Sequence, residues 1–491
     1  MIRTRICFYI LLLTPLLVYY RSIFHEFGFR DDYTHLREAR EEPGKLVKFT
    51  ASHGRPLYGA LLETSFAETG EVDNLPWLRL TSVVLLTVLG LALWRQLYHS
   101  GWAEIQAAVI GLGVTLLPAA QVTAGWAEHW PHVVALLLAM AGFSAIETEL
   151  ERGGMKRAVA LFGGCMIYLL AGLIYQSNAL FAVVPIAAVL LVRAGREPLT
   201  DLRWTAVHIG ALVLGLTGSY LLGQLLFSNG VFQQSARMQL ETDYLGKFVW
   251  FFWQPLPNAL GLYALRDSFA AINWVYWCAV LVTMLVIGLG VKAATDPVLK
   301  KKWLVCLVAL PFLAHVVSFA AAERAIGYRT IFALSGLVLV LVLFALRSLL
   351  VVGRIKLWMH NTALGLLVVG AAVTAGYNEF TLLARPQGYE WELVLAPVMG
   401  TSFKPDTKVY IITPKPADRS TAQSFADEFG SLSSDSDSVP KEMFKCAMRA
   451  RFGPKLPKGI SYTVTLGREA PAASTYDLII DMRKLSKWRA Q

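Results

Sequence analysis

The chain has 491 residues, of which 55% are hydrophobic and only 16% charged, with a formal net charge of +10. Soluble globular chains carry roughly 25% charged residues, so an ordinary water-soluble fold is set aside and much of this surface must face lipid. The basic residues are scattered through short loops between apolar runs and form no dense block. That pattern argues against a nucleic-acid partner and for charge that sets membrane topology.

Runs close to the ~20 residues needed to cross ~30 Å of hydrocarbon recur along the chain. They fall at about 6–24, 78–94, 105–123, 131–147, 158–175, 178–193, 206–226, 272–291, 303–320, 331–346 and 357–376, roughly eleven spans. The first follows Arg3 and Arg5 and lacks a small-residue cleavage site, so it reads as a retained signal anchor. If the spans alternate, Arg95, Arg152, Lys156, Arg157, Arg193, Arg196, Arg203, Lys292, Lys300 to Lys302, Arg347, Arg354 and Lys356 all fall on the side of the N-terminus. The positive-inside rule makes that side cytoplasmic, as in a bacterial inner membrane, and leaves the other connections on the outer side.

The first outer loop, about Phe24 to Trp77, carries the acidic pair Asp31 and Asp32 in GFRDDYTH, then His53 and Arg55 before the apolar GRPLYGALL. An acidic pair where a bilayer meets water suits a general base acting on a hydroxyl, or a cation site. The GRPLYGALL stretch suits a helix lying in the interface. Further outer turns are GWAEHWPH, with Glu128 and His129 between Trp126 and Trp130, then YQSN with Gln176, and ERAIGYRT with Arg324, Tyr328 and Arg329. The two tryptophans read as interfacial belt residues. Arg324 and Arg329 break the charge asymmetry of the outer side, and a guanidinium fork there suits a phosphate, with Tyr328 able to share an oxygen.

After Tyr377 no run is long and apolar enough to span, and residues 377–491 read as a soluble α/β domain on the outer side of a transmembrane domain, 1–376. Strands are expected at Lys408–Thr413, Ile460–Leu466 and Asp477–Asp481, a helix at Val439–Arg451, and a flexible loop at Gly430–Ser438. The five cysteines show no ligand spacing, so no metal or other cofactor is called for, although an acidic pair can also hold a divalent cation.

Four short motifs, FRDDY (Phe29 to Tyr33), GRPL (Gly54 to Leu57), IYQS (Ile174 to Ser177) and GYRT (Gly327 to Thr330), together with this layout resemble the polytopic glycosyltransferases of the GT-C class. The likeness is nearest to the phage-conversion type O-antigen glucosyltransferases, with GRPL where that family more often has GRW. The resemblance implies a polyprenyl-phosphate sugar donor on the outer leaflet, a cell-surface glycan or lipid-linked acceptor, and an acidic base, Asp31 or Asp32. The rival class is a transporter or flippase of lipid-linked sugars, which usually places ionisable residues within its spans. The DEFG motif (Asp427 to Gly430) carries no chemistry that the sequence explains.

Overall fold

The computed structural model describes residues 2–150, 154–193, 198–267, 273–324, 327–414, 428–436, 438–472 and 474–484. Helix α1 (Ile2–Ile23) leads into three short helices, α2 (Asp31–Glu41), α3 (Lys45–Ser52) and α4 (Pro56–Thr69). Then come α5 (Leu75–His99), α6 (Glu104–Leu116), α7 (Pro118–Gly125), α8 (Trp130–Glu149), α9 (Gly154–Ala179), α10 (Val183–Val192) and α11 (Pro198–Ser228). The chain continues through α12 (Tyr244–Trp253), α13 (Pro255–Leu260), α14 (Trp274–Ala293), α15 (Pro297–Leu304), α16 (Leu310–Leu313) and α17 (Val316–Ala320). It closes with α18 (Phe332–Val351), α19 (Leu357–Tyr377), α20 (Arg385–Gly400) and α21 (Val439–Phe452).

Among the described residues, eight helical stretches are long and apolar enough to cross a membrane, or nine if the bent pair α6 and α7 counts as one span. This is a multi-pass helical membrane protein. The difference from eleven expected spans has two local causes. Residues 158–175 and 178–193 belong to one 39-residue helical stretch, Gly154–Val192, broken by the extended backbone of Tyr175 (φ −156°, ψ 106°). Asn178 Nδ2 donates to the His132 carbonyl at the start of α8, whereas Arg193 pairs with Glu147 at its far end, so the stretch runs along α8 once in each direction. The expected span 303–320 is divided into α15, a π-helical turn (Val305–Ala309), α16 and α17. Pro311 lies in that segment and cannot donate the backbone bond a continuous helix needs. Likewise Leu117, held extended (ψ 153°) ahead of Pro118, sets the 51° bend between α6 and α7.

The centre of the bundle is α18, buried around nearly its whole circumference, as expected of a helix apolar on every side. Helix α19 does not stop near residue 376. It runs through a π-helical turn (Asn378–Ala384) into α20 and ends at Gly400; Trp391 of α20 packs on the Tyr33 ring of α2 (5.8 Å) and donates to Glu26, ahead of α2, at 2.9 Å. Beyond it β1 (Thr407–Ile412) is the middle strand of a parallel sheet in the order β2, β1, β3, with β2 at Tyr462–Gly467 and β3 at Leu478–Asp481. Parallel neighbours need a crossover, and α21 lies between β1 and β2 in the chain. The strands and the helix fall where the sequence pattern puts them.

The C-terminal unit and the first loop occupy the same end of the bundle and touch. Arg37 of α2 donates to Glu442 of α21 at 2.8 Å, and the Arg30 amide donates to Ser433 Oγ at 2.8 Å. The expected flexible loop is instead pinned over Gly430–Ser436. Glu390 of α20 accepts from the amides of Ser433 (2.8 Å) and Ser434 (2.9 Å), and Gln387 donates to the Ser431 carbonyl. Asp437, within that loop, and Asp427 of the DEFG motif lie outside the described residues. From Pro56 the GRPLYGALL stretch is helical in α4, but its Tyr58 and Leu62, with Phe66 one turn further on, are buried against protein rather than laid on an interface.

Candidate functional site

The acidic pair is set by an unusual turn. Arg30 has φ 43° and ψ −104°, a strained conformation for a residue with a side chain, and α2 starts immediately after it. This turn separates the two carboxylates. Asp32 is fully buried: Oδ2 accepts from the Phe29 amide (2.9 Å) and Oδ1 from the Glu128 amide (3.2 Å). Loss of hydration and the nearby Glu128 carboxylate push Asp32 up to about 7, against the opposing pull of the Phe29 bond. Asp31 keeps its solvent exposure, and the surrounding protein together with Glu128 raises its carboxyl above the usual range.

Glu128 joins the two halves of the site. Its carboxylate lies 3.1 Å from His35 Nδ1 and 3.4 Å from His129 Nε2, and its carbonyl accepts from the Tyr58 hydroxyl. Burial alone would lower His35. The hydrogen bond and charge of Glu128 outweigh it and push His35 up to about 9, so this imidazole is a cation at neutral pH. From His129 a continuous column of rings runs through His132 (4.4 Å) to Tyr175 (4.0 Å), and the Arg55 guanidinium caps it 4.4 Å above the Tyr175 ring. On the other side Trp126 lies between His129 and Phe29. Trp126 is therefore buried in the site and is not a belt residue.

The GRPL and IYQS motifs meet here. Arg55 Nε donates to Gln176 Oε1 at 3.2 Å, and Gln176 Nε2 donates to the Gly54 carbonyl at 3.1 Å. Gly54 has φ +73°, and a Cβ at that position would stand 3.1 Å from Met238 Cε and 3.3 Å from Gln176 Nε2, so the motif needs glycine there. His53 Nδ1 lies 2.9 Å from the Phe49 carbonyl, and burial lowers its pKa.

Arg329 closes the site from the turn that leads into α18. Its Nη1 donates to His129 Nε2 at 3.0 Å, its guanidinium lies over Trp126, and its Nε is 3.5 Å from Glu428. Arg324 is already engaged by Asp243 (2.8 Å) and Glu241 (3.7 Å). Tyr328 is turned into the core, where its hydroxyl accepts from the Arg266 amide at 3.0 Å and its ring packs on Phe429, so it does not reach a phosphate seat.

Of these groups, His53, Arg55, Tyr175, Gln176, Arg324 and Arg329 line a cavity of about 680 Å³, together with Arg30, whereas Asp31, Asp32, Glu128, His129 and Tyr328 lie off its wall. Arg30, Arg55, Arg324 and Arg329 line its upper part; Leu216 and Tyr220 of α11 and Val317 of α17 line its lower wall. The wall reaches Val213, roughly 22 Å below Ser228 at about 1.5 Å rise per residue, which is near the middle of that span. Of the cavity arginines, Arg30 and Arg55 have no carboxylate within ion-pair distance among the described residues.

The structure thus brings together Asp31, Asp32, Arg55, Glu128, His129, Gln176 and Arg329, and leaves Arg324 and Tyr328 tied elsewhere. The sequence shows Arg30 and His35 only as polar members of the first outer loop without a role, and gives no sign of His132 and Tyr175 as site residues, nor above all of Glu428. The only available signal for Glu428 was the DEFG motif, whose meaning lies in a contact more than ninety residues away along the chain. Among the described residues no group of three His, Cys, Asp or Glu is placed to hold a metal ion. No protein-family model and no curated protein matches the chain.

Proposed function

We propose that the protein is a membrane glycosyltransferase that moves a sugar from a polyprenyl-phosphate donor to an acceptor hydroxyl at the non-cytoplasmic face. The observation that carries this reading is the cavity. Its arginine-lined upper part and its apolar wall running down α11 match a ligand with an anionic head and a hydrocarbon tail. In the proposed reaction Asp31 takes the proton of the acceptor hydroxyl as its oxygen bonds to the anomeric carbon. The bond from that carbon to the phosphate oxygen breaks, its electron pair stays on the phosphate, and the leaving group passes from one negative charge to two. Arg30 and Arg55, which have no carboxylate partner among the described residues, are disposed to meet that charge. Asp32 holds the turn, and the His35 cation beside Glu128 balances the acidic cluster.

A transport reading draws on Glu379, a carboxyl buried within the last span with neither oxygen hydrogen-bonded among the described residues. The two readings differ in chemistry. Cells lacking the chain should accumulate polyprenyl-phosphate sugar and lose one sugar from a surface glycan or lipid. Unchanged donor and glycan pools would remove the transferase reading.

A further inference from the structure

Among the described residues two carboxylates line the cavity, and they differ in kind. Glu323 is exposed and lies 3.7 Å from Arg237. Glu428 is 1% exposed, faces Arg329 with Oε1 at 3.5 Å, and its Oε2 has no hydrogen-bond partner among the described residues. A buried carboxylate on the wall of an anion-binding cavity works against anion binding, so its position calls for a reason. The backbone that carries it is fixed. The Glu428 carbonyl accepts from the Ser431 amide (3.1 Å) and hydroxyl (2.7 Å), and the Gly430 amide donates to the Leu382 carbonyl (2.7 Å).

The charges give the reason. Among the described residues five arginines line the cavity; Arg237 is paired with Glu323 and Arg324 with Asp243 and Glu241, which leaves Arg30, Arg55 and Arg329, and Glu428 cancels the charge of Arg329. The two that remain equal the final charge of a departing lipid monophosphate, while the base that has taken the proton is neutral. A lipid diphosphate would leave with one further negative charge, which would face the unbonded Oε2.

We infer that Glu428 is a specificity-determining residue that limits the seat to a single phosphate, admitting lipid monophosphates and rejecting lipid diphosphates. This rests on the prenyl-phosphate reading above. It also gives the C-terminal unit a role in the membrane site, since Glu428 comes from that part of the chain.

The test uses the full chain in lipid nanodiscs, with farnesyl phosphate and farnesyl diphosphate competing against labelled farnesyl phosphate. The wild type should favour the monophosphate by about tenfold or more, since like charges brought together at a binding site are strongly disfavoured. Glu428→Gln should close that gap by about tenfold, and Glu428→Gln combined with Arg329→Gln should reopen it by returning the net charge to its original value. Wild-type protein that takes both lipids equally, or a folded Glu428→Gln variant with an unchanged gap, overturns the inference while leaving the prenyl-phosphate reading intact. If Glu428→Gln does not fold, the wild-type ratio and the Glu428→Asp variant, which should keep the preference, decide it. Inorganic phosphate at the same concentrations should not displace the labelled lipid; displacement would assign the seat to free phosphate. Failure of the wild type to bind either lipid removes the reading and the inference together.

Discussion

At the scale of single residues, the sequence offers two adjacent aspartates with nothing to separate them, and the structure separates them by their partners. Asp32 spends both oxygens on backbone amides, whereas Asp31 stays open. Because Asp32 is raised from 3.8 to about 7, the folded state holds its proton more tightly than the unfolded state. Its contribution to stability is therefore greatest at low pH and declines as pH rises between about 4 and about 7. The stability of the wild type relative to Asp32→Asn, which does not titrate, should fall between about pH 4 and pH 7 in thermal melts and level off above that; a flat difference across this window would mean that Asp32 is not raised. Arg55 gives a second prediction. It stacks on Tyr175 and bonds Gln176 through a planar fork that lysine lacks, so Arg55→Lys should weaken donor use by about tenfold, and Arg55→Ala by about tenfold to a hundredfold. Arg324→Lys, tied to Asp243 and Glu241, should change donor dependence little. Equal effects at both positions would refute this division of the arginines. What the sequence could not reveal was which arginines already had partners, because Asp243 and Glu428 lie far away in the chain.

At the scale of elements, legibility followed the strength of the periodic signal. The sheet strands and α21 were readable because alternation and helical spacing are local properties. The apolar runs were readable too, but not their breaks. Tyr175 turns the chain inside a continuous apolar stretch, and the π-helical turn at Asn378–Ala384 has no proline within it; Pro311 is the one visible sign of the break after Val305–Ala309. The sequence pattern likewise hid the pinning of Gly430–Ser436, since a run of serine and aspartate looks solvated until Glu390 and Gln387 are placed beneath it. The turn at Gly54 is the element on which two motifs meet. Gly54→Ala puts a side chain at φ +73° within 3.3 Å of Gln176 and should cost about 1–2 kcal/mol in stability. Because the strain falls on the Arg55 to Gln176 contact, the KM for donor should rise more than kcat falls. A variant with wild-type melting and wild-type KM would show that the turn does not position Arg55.

At the scale of the whole molecule, the first loop and the C-terminal unit form one structure over one end of the bundle, joined by Arg37 to Glu442 and Arg30 to Ser433. From the charge asymmetry we propose that this end lies on the non-cytoplasmic side. Single cysteines at Lys48 and Lys404, both exposed, should react with an impermeant thiol reagent in intact cells once the outer barrier is opened, and one at Arg354 should not. Labelling at Arg354 with protection of the other two would invert the topology and put the site on the wrong side for an outer-leaflet donor. Under the proposed function, the cavity beside α11 and the broken helices α16 and α17 would let a lipid keep its tail in hydrocarbon while its phosphate meets arginine. The central claim, that Asp31 is the base of a transfer from polyprenyl-phosphate sugar, is tested most directly by the rate at which labelled sugar leaves that donor in vesicles containing the protein and its native acceptor. Asp31→Asn, with its amide unable to take a proton, should slow release by about a hundredfold or more while leaving donor binding and thermal melting close to wild type. Release at the wild-type rate from Asp31→Asn would contradict the account.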